Sequence, residues 1–310
     1  MTKRTLFIII GLLFFLDVAA LIVYLVGNSN PDGKSPIEYV LRDSIVHEMA
    51  DTIPDKLVVD QFDTISRSAT FVSLDKMMVG NVSKPMTCTM KLKFVWPKSI
   101  NGRDDVSSLH SQLLSRVSRM GGDNVNAVIN SLFEKPEFAR RSLNFKKTTA
   151  SVDSPGINHT IQNYRIFPYF STNYLLEMVV LVEKHNGATL SRSMNIVHYD
   201  RVHHNVITID KIFDLSQVDK ILALVNQKIE SEKLEGTHVN WHETGVLPTE
   251  FLLGRKSVVF YLADGAIAPR GTGLHEVMVS NDDLEPFFTN YYNEMLVNDS
   301  HFVTYEFISL

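Results

Sequence analysis

From Leu175 to Asp200 the chain reads LLEMVVLVEKHNGATLSRSMNIVHYD. Residues 174–183 are a nearly continuous apolar run rich in Val and Leu, His185-Asn186-Gly187 is a turn signal, and extended character resumes over 188–199. Two segments of β-branched and apolar residues joined by an Asn-Gly turn predict an antiparallel hairpin.

Moving downstream, residues 206–209 predict a short strand, and Val218, Ile221, Leu222, Val225 and Ile229 fall on one face of a helix. Residues 251–253 and 257–262 read as strands around the turn Gly254-Arg255-Lys256. Residues 264–273 form a Gly-, Ala- and Pro-rich loop, and 276–280 are a further strand. Asp282 or Asp283 is placed to cap a last helix carrying Leu284, Phe287, Phe288, Tyr291 and Tyr292.

Upstream, residues 158–170 read as a strand weakened at its end by Pro168. Residues 66–74 alternate partly. Over 87–96, Cys88, Met90, Leu92 and Phe94 alternate with Thr87, Thr89, Lys91 and Lys93, which predicts a half-buried strand ended by Trp96-Pro97. Asp104 or Asp105 would cap a helix of Val106, Leu109, Leu113, Leu114 and Val117, stopped by Gly121-Gly122, and 124–133 would be another. Residues 135–152 are charged and mixed, with no assignable element. Strand runs with interspersed helices, in an order that roughly recurs, predict an α+β class: a mixed, mostly antiparallel sheet with packed helices. The regions so defined are 37–155 and 156–295, followed by a tail over 296–310.

The N-terminus has a different character. From Leu6 to Val26 the sequence is LFIIIGLLFFLDVAALIVYLV, apolar except for Gly11, Asp17 and Tyr24. About 20 helical residues cross a hydrocarbon core of about 30 Å. Lys3 and Arg4 precede the stretch, so residues 1–5 are expected in the cytoplasm, 6–26 in the membrane, and the bulk periplasmic or extracellular after a polar linker over 27–36 and a helix over 37–50. Cleavage after Val18-Ala19-Ala20 is the competing outcome, but apolar sequence continues well past the usual signal-peptide length. Asp17 is costly inside a bilayer, about 2.5–3.5 kcal/mol at a helix centre; it is either the point of contact with another membrane helix or a single acid that its strongly apolar surroundings tolerate.

Composition narrows the function. A net charge of −5 argues against a nucleic-acid partner. Cys88 is the only cysteine, so an exported domain has no internal disulfide. The sequons at Asn81, Asn158 and Asn298 matter only in a eukaryote. No Gly-x-Ser-x-Gly elbow, phosphate loop or His-Glu-x-x-His motif is present. His238 and His242 have helical metal spacing, but a third ligand is missing. His203 and His204, near His198, would point to opposite sides of a regular strand. No metal, cofactor or catalytic set is expected.

The stretch from Leu175 to Phe288 resembles an extracytoplasmic domain family shared by the lysozyme-sensing anti-sigma factor RsiV and the N-terminal region of the peptidoglycan deacetylase PdaC. The hairpin, VITIDKIF from Val206 to Phe213, and LPTEFLLGRKSVVFYLADGAIAPRGTGLHEVMVSNDDLEPFF carry the resemblance. Phe251, Tyr261, Ile267, Ala268, Pro269, Gly273, Val277 and Leu284 are the matching positions. The upstream CTMKLKFVWPKSINGRDDVSSLHSQLL is similar to the family's first half. The turn His185-Asn186-Gly187-Ala188 and Arg270 depart from its pattern.

The resemblance implies a non-catalytic envelope domain that binds a lysozyme-like protein or peptidoglycan. The alternatives are an accessory to a wall hydrolase or deacetylase and a scaffold docked through Asp17. About five residues before the anchor are too few for a stable interface, so no sigma-factor partner is expected. The 264–273 loop is the expected contact surface, with Tyr261, Arg270 and His275 as the ligand-binding residues. Gly265, Gly271 and Gly273 permit unusual backbone angles there; the alternative, which the usual role of loops favours, is that they merely turn the chain between two strands.

Overall fold

Alternation of apolar and polar residues builds the first hairpin of the computed structural model. Strands β1 (Gln61–Val79) and β2 (Val82–Ser99) pair antiparallel, with Cys88, Met90, Leu92 and Phe94 buried on one face and Lys91 and Lys93 exposed on the other. The described residues are 60–304, apart from 80, 119–123, 139–140, 142, 150–157, 187–188, 235–239, 270–272 and 299–301. The expected anchor over 6–26 with Asp17, the linker, the helix over 37–50, Arg270 and His238 therefore lie outside them. Among the described residues, no helix is long and apolar enough to cross a membrane.

Both β1 and β2 are longer than the alternation suggested. β2 passes through Trp96-Pro97 to Ser99. Beyond Phe94 it has no β4 neighbour, so a residue lacking an N–H is tolerated there. Helices α1 (Ser107–Val117) and α2 (Val125–Glu134) follow. Asn124 caps α2, its side-chain oxygen accepting from the N–H groups of Asn126 and Ala127. α1 starts one residue later than expected. Val106 takes the cap position, and Asp105 instead accepts from the Ser107 N–H and hydroxyl. The unassigned stretch contains a short strand, β3 (Phe145–Thr148), on the outer edge of β1.

β4 (His159–Thr172) lies parallel to β2, which requires the long connection through α1, α2 and β3. Pro168 sits at a register shift that absorbs it within the strand. The predicted hairpin is β5 (Leu175–His185) and β6 (Leu190–Asp200), followed by β7 (Asn205–Ile207). The resulting sheet order is β3-β1-β2-β4-β5-β6-β7. Leu109, Leu113 and Leu114 of α1 and Val128, Ile129 and Phe133 of α2 cover the Cys88–Phe94 face, forming the first core.

A second core follows. α3 (Ile209–Ile212) leads to α4 (Val218–Leu234), whose Ile221, Val225 and Ile229 are fully buried. They pack with a three-stranded sheet, β8 (Glu250–Leu253), β9 (Ser257–Leu262) and β10 (His275–Ser280), in the order β10-β9-β8. The expected last helix is broken in two. Ser280, not an aspartate, caps α5 (Asn281–Leu284); a 3-10 turn follows over Glu285–Phe287, and α6 (Asn290–Asn298) starts afresh. Pro286 stands in that turn, and Phe288 is drawn into a β-bridge with Phe213. The last described strand, β11 (Phe302–Thr304), pairs antiparallel with the end of β4. The architecture is α+β, with strands from both sequence regions in one sheet.

Candidate functional site

Tyr261 lies opposite Glu276, and His275 lies opposite Leu262. Register partners share a face and successive residues alternate, so Tyr261 and His275 point to opposite faces of the small sheet. Burial and the neighbouring Glu276 carboxylate push the Tyr261 hydroxyl well above the usual phenol range. The buried His275 ring meets Trp241 edge-on at 4.8 Å. The two residues do not converge on one ligand.

The 264–273 loop is tied down at its described positions. Asp264 Oδ1 accepts from Gly273 N at 3.0 Å, Ile267 O accepts from His242 N at 2.6 Å, and Ile267 and Ala268 are buried. Gly265 and Gly273 turn the chain at φ +85° and +95°, angles that favour glycine.

His198 and His203 make contacts within the protein. His203 and His204 are not on a strand but in the turn between β6 and β7. The buried Asp200 carboxylate folds that turn by accepting from Val202 N and His203 N, both at 2.8 Å, and from His203 Nδ1 at 2.7 Å. The Tyr291 hydroxyl also donates to it. Burial alone would raise this carboxyl, but the four donors outweigh it and hold it below the usual range.

His198 and Glu177 are paired across β5 and β6, with Nδ1 3.0 Å from Oε1 at an angle poor for a hydrogen bond. Glu177 is wholly buried and its Oε1 accepts from Leu253 N at 2.7 Å, while His198 stacks on Phe251 at 4.7 Å. Burial raises the Glu177 carboxyl, partly offset by His198 and the Leu253 N–H. This pair lies at the junction of the two sheets, away from solvent.

A solvent-reachable concavity lies elsewhere, beside the turn joining β5 to β6. A cleft of about 260 Å³ is lined by Glu137, Thr160, Gln162, Lys184, Asn186, Thr189 and Ser191. Lys184 Nζ meets Glu137 Oε2 at 2.7 Å. Gln162 is oriented by three contacts: its Nε2 donates to Glu137 O at 2.7 Å and to Cys88 Sγ at 3.3 Å, and its Oε1 accepts from the Tyr164 hydroxyl at 3.2 Å. Burial pushes the Cys88 thiol up to about 12, so it acts as a packing group beneath the cleft.

The lining offers donors, acceptors and one ion pair, which suits a small hydroxyl- and amide-rich ligand. Sequence reasoning missed this site. A signal was present: Thr160 and Gln162 share strand parity with the buried Tyr164 and Ile166, placing polar residues on a core-directed face.

Among the described residues, no three His, Cys, Asp or Glu side chains are grouped to hold a metal ion. No protein-family profile matches the chain, and no curated protein matches it. Its fold is similar to a crystal structure of a DUF3298 family member from Bacteroides fragilis, with a TM-score of 0.54 at 14% identity over 77% of this chain and 96% of that one. A DUF3298 protein from Pseudomonas aeruginosa aligns at TM-score 0.47 and 11% identity, over 75% and 97% of the two chains. At 14% identity, the first likeness is one of fold.

Proposed function

We propose that this chain is a binding module of the bacterial cell envelope, anchored by its segment from Leu6 to Val26 and carrying an RsiV-like extracytoplasmic domain. Its ligand is a peptidoglycan fragment held in the cleft around Gln162 and Lys184. The cleft carries this reading: a concavity lined by polar and charged residues takes part of a small sugar–peptide better than the convex surface of a lysozyme-like protein. A binding rather than catalytic role fits the burial of Glu177 and His198, which keeps a carboxyl raised by burial away from any substrate.

Titration calorimetry on the full chain in nonionic detergent tests the reading, with soluble disaccharide-peptide and, separately, a lysozyme as titrants. Saturable binding of the disaccharide-peptide, weakened at least tenfold by Lys184→Ala with an unchanged circular dichroism spectrum, is the expected result. No binding, or binding of lysozyme alone and indifferent to Lys184→Ala, overturns it.

A further inference from the structure

The main sheet has a second face, turned away from the cleft. Thr160 and Gln162 share the side of Cys88 and Met90, so the odd-numbered residues of β2 and of β4 up to Pro168 lie on the other. The registers align two adjacent rows across that face. One runs Ser68, Lys91, Asn163, Glu183, Arg192; the next runs Ser66, Lys93, Arg165, Leu181, Met194.

Four cations thus sit within about 14 Å by 7 Å, from strand spacings of about 4.8 Å and a two-residue rise of about 6.7 Å. Glu183 is the only acid among the described residues of these rows. Four positive charges and one negative leave a net +3 there, on a chain of net charge −5.

Glu183 also orients the patch. Its Oε2 receives Arg165 NH2 at 2.6 Å, and its Oε1 receives Arg192 Nε at 2.8 Å and NH2 at 2.7 Å. The two guanidinium groups are held on the sheet with other N–H groups left over. Lys91 and Lys93 are exposed and make no ion pair among the described residues.

We propose that this face docks an extended phosphate-bearing polymer. A phosphate presents several oxygens, so one group can be shared between an arginine fork and the lysine on the neighbouring strand, as between Arg165 and Lys93. The Ser66 and Ser68 hydroxyls and the Asn163 amide supply uncharged hydrogen bonds along the same track. Neither row contains an aromatic side chain among its described residues, so base stacking of a nucleic acid has no platform.

The test uses the full chain in nonionic detergent with inorganic polyphosphate as probe. Polyglutamate, glycerol phosphate and single-stranded DNA are comparison ligands. Saturable polyphosphate binding is expected, falling at least tenfold between 50 and 300 mM salt, about the range over which charge screening grows. Lys91→Glu/Lys93→Glu should weaken it at least tenfold at constant circular dichroism, and Lys220→Glu/Lys228→Glu on α4 should leave it within about twofold.

The assignment is overturned by no polyphosphate binding or by equal loss in both double variants. Polyglutamate or DNA binding at least as tightly, or glycerol phosphate matching the polymer, overturns it too. The Lys91/Lys93 variant should bind the disaccharide-peptide unchanged, so failure of this surface and failure of the cleft are separately visible.

Discussion

Glu177 occupies a core position on β5, where alternation would place an aliphatic side chain. Desolvation raises its carboxyl above the ordinary value of 4.5, with His198 and the Leu253 N–H pulling the other way. A carboxyl raised on folding binds its proton more tightly in the native state. Its contribution to stability is complete below pH 4.5 and is lost as pH rises through the native value. Glu177→Gln keeps the shape and removes the titration. Urea unfolding from pH 4 to pH 8 should show the wild type losing stability with rising pH relative to this variant, whose own profile is flatter. Parallel profiles for the two proteins would show that Glu177 does not titrate across this range.

At the scale of elements, Phe213 shows what packing decides. It ends α3, is fully buried, and its ring lies 5.4 Å from Phe251, 6.1 Å from Phe260 and 5.5 Å from Phe288. Phe213→Ala should cost about 3–5 kcal/mol, read as a lower urea midpoint with the slope unchanged. The strands that supply Phe251 and Phe260 were legible, because β8 and β9 stand out as short apolar runs around the turn Gly254-Arg255-Lys256. The split of the last helix was not: the bridge between Phe288 and Phe213 forms only once distant chain segments meet. The same holds for the parallel pairing of β2 with β4, which no local pattern encodes. For the site, the resemblance drew attention to Tyr261 and the Gly-rich loop to His275, and register separates the two. The cleft was missed because Glu137, in the connection after α2, meets Gln162 of β4 and Lys184 of β5 only once the chain has folded.

Across the described molecule, the two cores share strands and polar ties. Phe170, Leu175 and Ile207 belong to the main sheet yet pack in the second core. Glu177 accepts from Leu253 N, and Glu250 on β8 accepts from Ile196 N at 2.6 Å and meets Arg116 of α1 at 3.4 Å. Loosening the small sheet would leave the buried Glu177 side chain without its backbone donor, a cost that opposes independent opening. The cores should therefore unfold as one unit. The chain supplies its own reporters, since it has two tryptophans: Trp96 in the first core and Trp241 packed against the second. Trp241→Phe and Trp96→Phe each leave a single emitter. Their urea midpoints, each compared with the far-ultraviolet circular dichroism of the same variant, should coincide within about 0.3 M, given slopes of a few kcal/mol/M. Adding Phe213→Ala, which lies only in the second core, should move the Trp96 signal as far as the Trp241 signal. A Trp96 transition that stays in place while Trp241 moves would mean that the shared strands do not couple the two cores.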